Sequence, residues 1–151
     1  MLHYLDDARM AAVPEAARGA FMVARRVFGP NMKDIKQAEW GKEWASGITA
    51  IQSDGHTPGH TSFVISSGTK SLLVVGDAVN DPRIFGRQPE WHLGFDLDRA
   101  LAVNTRKRLL DMAAADKMQT SFYHAAFPAT GYIAKNGNAY DWFPISFSSM
   151  A

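Results

Sequence analysis

Cysteine is absent from this 151-residue chain. Neither a disulfide nor a thiolate metal site is open to it, and any bound ion must be held by His, Asp or Glu. Histidine is scarce as well, with only His3, His56, His60, His92 and His124. An excess of charge of either sign is also missing: 16 Lys and Arg face 15 Asp and Glu, a formal net charge of +1. That balance gives no electrostatic reason to expect nucleic acid or an anionic membrane as a partner. No run approaches the roughly 18 apolar residues of a membrane span. The opening Met-Leu-His-Tyr-Leu-Asp-Asp has neither the basic start nor the apolar stretch of a signal peptide, and the compartment, cytoplasmic or periplasmic, stays open. Internal repeats and low-complexity tracts are absent. What remains is ordinary for a soluble globular chain, at 46% hydrophobic and 21% charged residues. Residues 1–151 read as a single domain, long enough to bury a sizeable core.

The period of the apolar residues divides the chain. Pro14 suits a first helical position, and Ala17, Phe21, Ala24 and Phe28 recur at helical offsets, which predicts a helix over 14–28 stopped by Gly29-Pro30. Arg18, Arg25 and Arg26 fall mostly off that stripe and read as a solvated face. Residues 31–46, with Trp40 and Trp44, fit a short helix or an irregular approach to a strand equally well. From residue 47 the pattern turns β-like. Strands are expected near 48–52, 61–66, 71–76 and 119–123, with a turn at Ser67-Gly68-Thr69-Lys70. A last hairpin follows Gly131, with Asn136-Gly137 as a type I′ turn signal. Residues 78–95 read as loop. A second helix is expected over about 98–115, N-capped by Asp96 or Asp98. Ala102, Thr105, Leu109, Met112 and Ala113 form its buried stripe, and Arg106, Lys107 and Arg108 mostly face water.

The chemistry concentrates between residues 54 and 80. His56 and His60 lie on a turn made by Pro58 and Gly59, and Asp77 follows the buried run Leu72-Leu73-Val74-Val75-Gly76. A carboxylate placed after a hydrophobic strand and a glycine stands where open α/β sheets carry their sites. His124 closes another short strand, Thr120–Tyr123, ahead of a proline-and-glycine loop. From the residues alone, a shared metal site of His60, Asp77 and His124 and three unrelated polar residues both remain open. His3 and His92 have no such context and read as structural.

The segments Thr57-Pro58-Gly59-His60-Thr61, Val75-Gly76-Asp77 and Tyr123-His124-Ala125-Ala126-Phe127-Pro128-Ala129-Thr130-Gly131 occur in that order. Together with Pro89-Glu90-Trp91, Phe95-Asp96-Leu97-Asp98 and Gly131-Tyr132-Ile133, they resemble the second half of a metallo-β-lactamase-fold hydrolase. The likeness covers nearly the whole chain and points to the branch that includes lactonases and organophosphate hydrolases. It implies an α/β (α+β) fold, half of an αββα sandwich, with a mixed sheet and flanking helices. It implies zinc, or another divalent metal, with His60 as the third histidine of the first metal and His124 as the last ligand of the second. Asp77 would be the catalytic carboxylate bridging the two. His56, Gly59 and Gly76 would shape the site without binding metal. The implied reaction is attack of metal-activated water on a small-molecule lactone, ester or phosphotriester.

The family also carries a His-x-His-x-Asp-His motif in its first half, and nothing in residues 1–55 matches it. The chain therefore reads as the C-terminal portion of the fold, supplying part of a dinuclear centre. Two expectations follow: a metal-dependent hydrolase, or a catalytically silent half-domain that dimerises or needs a complementary half. A homo-oligomer is expected through the sheet face that half a sandwich leaves uncovered.

Overall fold

A computed structural model describes residues 2–146, and its sheet begins at Glu43, just ahead of the change of period at residue 47. The chain forms two compact units, residues 1–37 and 38–151.

In the first unit, helix α1 (Asp7–Ala12) is capped by the Asp6 side chain, which accepts from the Arg9 N–H at 3.0 Å. Helix α2 spans Gly19–Phe28, not 14–28. Pro14 is extended (φ −55°, ψ 150°) and precedes a tight 3-10 turn at Glu15–Ala17, so the α-helical register begins only after it. Phe21 and Ala24 are buried as the stripe predicts, whereas Ala17 and Phe28 are exposed. The Phe21 ring packs on Tyr4 at 5.2 Å and His3 at 5.7 Å between centroids. Two of the three arginines read as solvated are half-buried. Arg18 Nε donates to the Val13 carbonyl at 3.1 Å, and Arg25 donates to the Leu5 carbonyl at 3.3 Å while pairing with Asp7 at 2.6 Å. Carbonyls left over where short helices break attract these guanidinium groups, and Arg26 alone faces water.

The second unit is one seven-stranded sheet in sequence order. Its strands are β1 (Glu43–Ala45), β2 (Ile48–Gln52), β3 (Thr61–Ser67), β4 (Lys70–Val74), β5 (Gln119–Ser121), β6 (Thr130–Asn136) and β7 (Ala139–Pro144). All neighbours are antiparallel except β4 and β5, which are parallel and joined by a crossover. That crossover contains α3 (Pro82–Phe85), a single turn inside the stretch expected to be loop, and α4 (Arg99–Ala115). Asp98, not Asp96, caps α4, its side chain accepting from the Leu101 N–H at 3.0 Å. Leu110 and Ala113 of α4 pack with Leu73, Val75, Phe122, Ile133 and Tyr140 in the core over one sheet face.

Three differences from the sequence expectation matter. Strands β4 and β5 end at Val74 and Ser121, earlier than 76 and 123, because the chain turns inward there. Val75 N–H bonds the Ser121 carbonyl at 3.2 Å, and Phe122 N–H bonds the Ala129 carbonyl at 2.8 Å. Asp77 and His124 therefore stand on turns just beyond the strands. In the last hairpin Asn136 pairs with Ala139, leaving Gly137-Asn138 as the loop. Only Gly137 of the two has positive φ (59°), so the turn has the II′ pattern and not I′. Finally, Arg106 does not face water: its side chain is 1% exposed. A loop folds over it, as described below.

The second sheet face carries the aligned row Ile48, Ile65, Leu72, Gln119, Tyr132 and Phe143. Ile65, Tyr132 and Phe143 are exposed.

Candidate functional site

Three chain turns meet at Asp77: the β2–β3 loop (53–60), the exit from β4 and the exit from β5. The first is built around Asp54. Its carboxylate accepts from the Gly59 N–H at 2.6 Å and from the Gln52 side chain at 2.8 Å. His60 N–H bonds the Thr57 carbonyl, and Ser53 N–H bonds the His60 carbonyl, both at 3.1 Å. These bonds leave the His60 ring little choice of position. Helix α4 clamps the loop from outside: Thr105 Oγ1 donates to the Asp54 carbonyl at 2.7 Å, and Arg108 donates to the Gln52 carbonyl. Between loop and helix lies a cavity of about 270 Å³ lined by Asp54, Gly55, Pro58, Leu97, Asp98 and Leu101.

The His60 ring is set in one tautomer. Its Nε2 accepts from the Asp77 N–H at 3.1 Å, so in the neutral ring the proton sits on Nδ1, which donates to Ser53 Oγ at 2.6 Å. Burial lowers the His60 pKa, and the Asp77 charge opposes that shift. The folded protein thus favours neutral His60. Its contribution to stability is whole above the unfolded value of about 6.5 and declines as pH falls through that value toward the lower folded one. Gly76 (φ 58°) is the wall behind this nitrogen, where a Cβ would lie 2.8 Å from His60 Nε2. Only glycine permits both that backbone and that approach.

Asp77 and His124 are in direct contact, His124 Nε2 lying 2.8 Å from Asp77 Oδ1. Their side chains are 35% and 51% exposed, so the pair adds little stability and remains accessible to a ligand. The structure thus joins His60, Asp77 and His124 through the two ends of one aspartate, backbone N–H and carboxylate. His56 rides on the same loop with its ring centroid 6.2 Å from that of His60, but its Nδ1 faces Asp96 at 2.9 Å. His92 is exposed on the loop before α4, and His3 belongs to the first unit. Ser53, Asp96 and Arg106 were not legible as site residues: Ser53 has no motif, Asp96 reads as a cap, and Arg106 reads as a surface charge.

The donors suit a divalent ion in kind, two imidazoles and one carboxylate. His60 Nε2 is unprotonated but accepts from the Asp77 N–H, so an ion bound there would take the place of that hydrogen bond. In number they fall short of a site: among the described residues no group of three His, Asp or Glu is gathered closely enough to hold an ion.

A profile of the metallo-beta-lactamase superfamily matches residues 28–118. No curated protein sequence matches the chain. Among solved structures the chain is similar to AbOPH, a hydrolase in the beta lactamase superfamily. Identity is 25% and the TM-score 0.87, over 98% of this chain and 53% of that one. It is similar to AidC, a dizinc quorum-quenching lactonase in complex with a product, at 25% identity and a TM-score of 0.83, over 99% of this chain and 51% of that one. An N-acyl homoserine lactone hydrolase with product bound at its catalytic metal centre matches at 26% identity and a TM-score of 0.50, over 63% of this chain and 40% of that one. The chain spans about half the length of the first two.

Proposed function

Because this chain belongs to the metallo-beta-lactamase superfamily, we propose that it carries the His60, Asp77 and His124 part of a metal-dependent hydrolase centre. The ion is zinc or a similar divalent metal, and the substrate is a lactone, an ester or a phosphotriester. The observation that carries the reading is the convergence of His60 Nε2 and His124 Nε2 on Asp77, at 3.1 Å from its N–H and 2.8 Å from its carboxylate. The similarity to a dizinc lactonase supports zinc and a lactone substrate. A bound ion supplies Lewis acidity and a water of lowered pKa. The chain's own part is to hold the donors. The Asp77 N–H sets the His60 tautomer, Ser53 Oγ accepts from its Nδ1, Gly76 lets the backbone come close to the ring, and the half-exposed Asp77 and His124 side chains face the approaching substrate.

Zinc affinity, measured by competition with a chromophoric chelator, should fall at least about tenfold in Asp77→Asn. It should also weaken as pH drops through about 6.5, because neutral imidazole is the ligating form. Zinc bound equally well by wild type and Asp77→Asn would place the ion elsewhere. With zinc present, the chain is then assayed against an N-acyl homoserine lactone, an aryl ester and a phosphotriester. Hydrolysis lost in Asp77→Asn identifies the substrate class.

The exposed apolar row of Ile65, Tyr132 and Phe143 supports association through that sheet face. Light scattering should give about twice the 16.6 kDa chain mass at micromolar concentration, returning to the monomer in Phe143→Lys. A wild-type monomer across a hundredfold dilution contradicts the dimer.

A further inference from the structure

His56, Asp96 and Arg106 form a buried chain of contacts that the hydrolase reading leaves unused. Asp96 has a side chain only 1% exposed and three partners. Its Oδ1 faces His56 Nδ1 at 2.9 Å, its Oδ2 accepts from the Leu93 N–H at 2.8 Å, and the Arg106 guanidinium stands 3.8 Å away. Arg106 is as fully buried. It donates to the Pro89 carbonyl at 3.1 Å and to the Trp91 carbonyl, and it lies 4.6 Å over the Phe85 ring. The arginine therefore pins the 89–96 loop and holds the Asp96 carboxylate in place. Backbone bonds tie the same loop to the site: Leu97 N–H meets the His56 carbonyl at 3.1 Å, and Asp98 N–H meets the Gly55 carbonyl at 2.9 Å.

An ionised carboxylate can only accept, so His56 must donate through Nδ1 and keep Nε2 bare. The ring so held is wedged edge-on between two others, Phe95 at 5.8 Å and 89°, and His60 at 6.2 Å and 84°. We infer that Arg106 and Asp96 are positioning residues that lock the tautomer and plane of His56, and that His56 in turn buttresses edge-on the ligand ring His60, whose plane its bonds to Ser53 and Asp77 define. This inference rests on the hydrolase reading only for the role of His60. The His56 lock stands apart from it.

Asp96→Asn tests the lock sharply. The amide keeps one oxygen acceptor where the carboxylate had two, while two donors, Leu93 N–H and His56 Nδ1–H, need one. The backbone donor cannot change, so the oxygen goes to Leu93 and the NH₂ turns to His56. The imidazole must then accept at Nδ1 and move its proton to Nε2. Long-range ¹H–¹⁵N spectra of metal-free protein at about pH 8.5, two units above the ordinary imidazole value, read this directly. Wild type is expected to show His56 wholly as the Nδ1–H tautomer. Asp96→Asn is expected to show the Nε2–H tautomer, with the His60 ring signals shifted and zinc affinity lowered about tenfold.

A wild-type His56 that carries its proton on Nε2, or averages both forms, overturns the inference without any variant. A folded Asp96→Asn protein with His56 tautomer and His60 signals unchanged overturns it too. Arg106→Lys covers the case of an unfolded asparagine variant. It retains the charge but not the reach to both carbonyls, so the 89–96 loop should loosen and His56 should show both tautomers. A folded Arg106→Lys protein whose His56 stays wholly on the Nδ1–H form is the contrary result. Absence of zinc binding in wild type would end the hydrolase reading, while the tautomer measurement would still decide the lock.

Discussion

Arg106→Ala lowers the stability of the chain by about 3–5 kcal/mol, the cost typical of removing one partner from a buried ion pair. Burial pulls the Arg106 pKa below the usual guanidinium value, with the Asp96 charge opposing. The intact pair is therefore no large asset in itself. The damage comes from what alanine leaves behind. The Asp96 carboxylate stays buried with its charge unmatched, the Pro89 and Trp91 carbonyls lose their donor, and the space under Phe85 empties. Domains of this size are commonly stable by about 5–15 kcal/mol, so such a loss consumes a large share of the total. Urea titration of both proteins measures it as a drop in midpoint at similar slope. A difference under about 1 kcal/mol would mean that the 89–96 loop holds itself in place without the guanidinium.

Gly55→Ala is the second large effect, about 2–5 kcal/mol. Gly55 has φ 130°, a backbone region that L side chains rarely adopt, and a Cβ there would run into the backbone of Leu101 and Ala102 in α4. The left-handed backbone costs about 1–2 kcal/mol, and forcing an atom into closed packing adds about 1–3 kcal/mol. Neither contact is a flexible side chain, so relief must come from moving the loop away from the helix. That movement breaks the Thr105 bond to the Asp54 carbonyl and the Asp98 bond to the Gly55 carbonyl. His60 then loses its fixed approach to Asp77, and zinc affinity falls together with stability. A parallel substitution at Gly68, where an added Cβ meets nothing within 4 Å, controls for the backbone penalty alone. If the two alanine variants prove equally stable, close packing against α4 is not what selects glycine at 55.

Much of this protein was readable from local pattern. The β-branched and apolar runs of residues 48–52, 61–67 and 70–74 specify strands because side-chain alternation and turn residues act over only a few positions. Helix α4 declared itself by its period and by a cap at Asp96 or Asp98, of which the structure selects Asp98. The candidate site was legible as far as motifs reach: His60, Asp77 and His124 each stand in a short stretch whose turn chemistry is local.

What depends on partners far along the chain was not. Strand β1 is three exposed residues whose extended form comes from pairing with β2, so residues 31–46 could not be assigned from their own pattern. The turn at Gly137-Asn138 is set by the pairing of β6 with β7, and a register shift of one residue moves it off Asn136-Gly137. Arg18 and Arg25 look like any surface arginine until the carbonyls they serve are in place. Arg106 is the clearest case. It sits between Thr105 and Lys107 in a run that periodicity assigns to water. Only the folding of the 89–96 loop over α4 brings a carboxylate, two carbonyls and an aromatic ring around its guanidinium. Periodicity records which face of a helix is apolar. It holds no record of a charge whose neutralising partners arrive from another segment, and that is why the motif residues His60, Asp77 and His124 could be named from the sequence while the burial of Asp96 and Arg106 was decided by the tertiary structure.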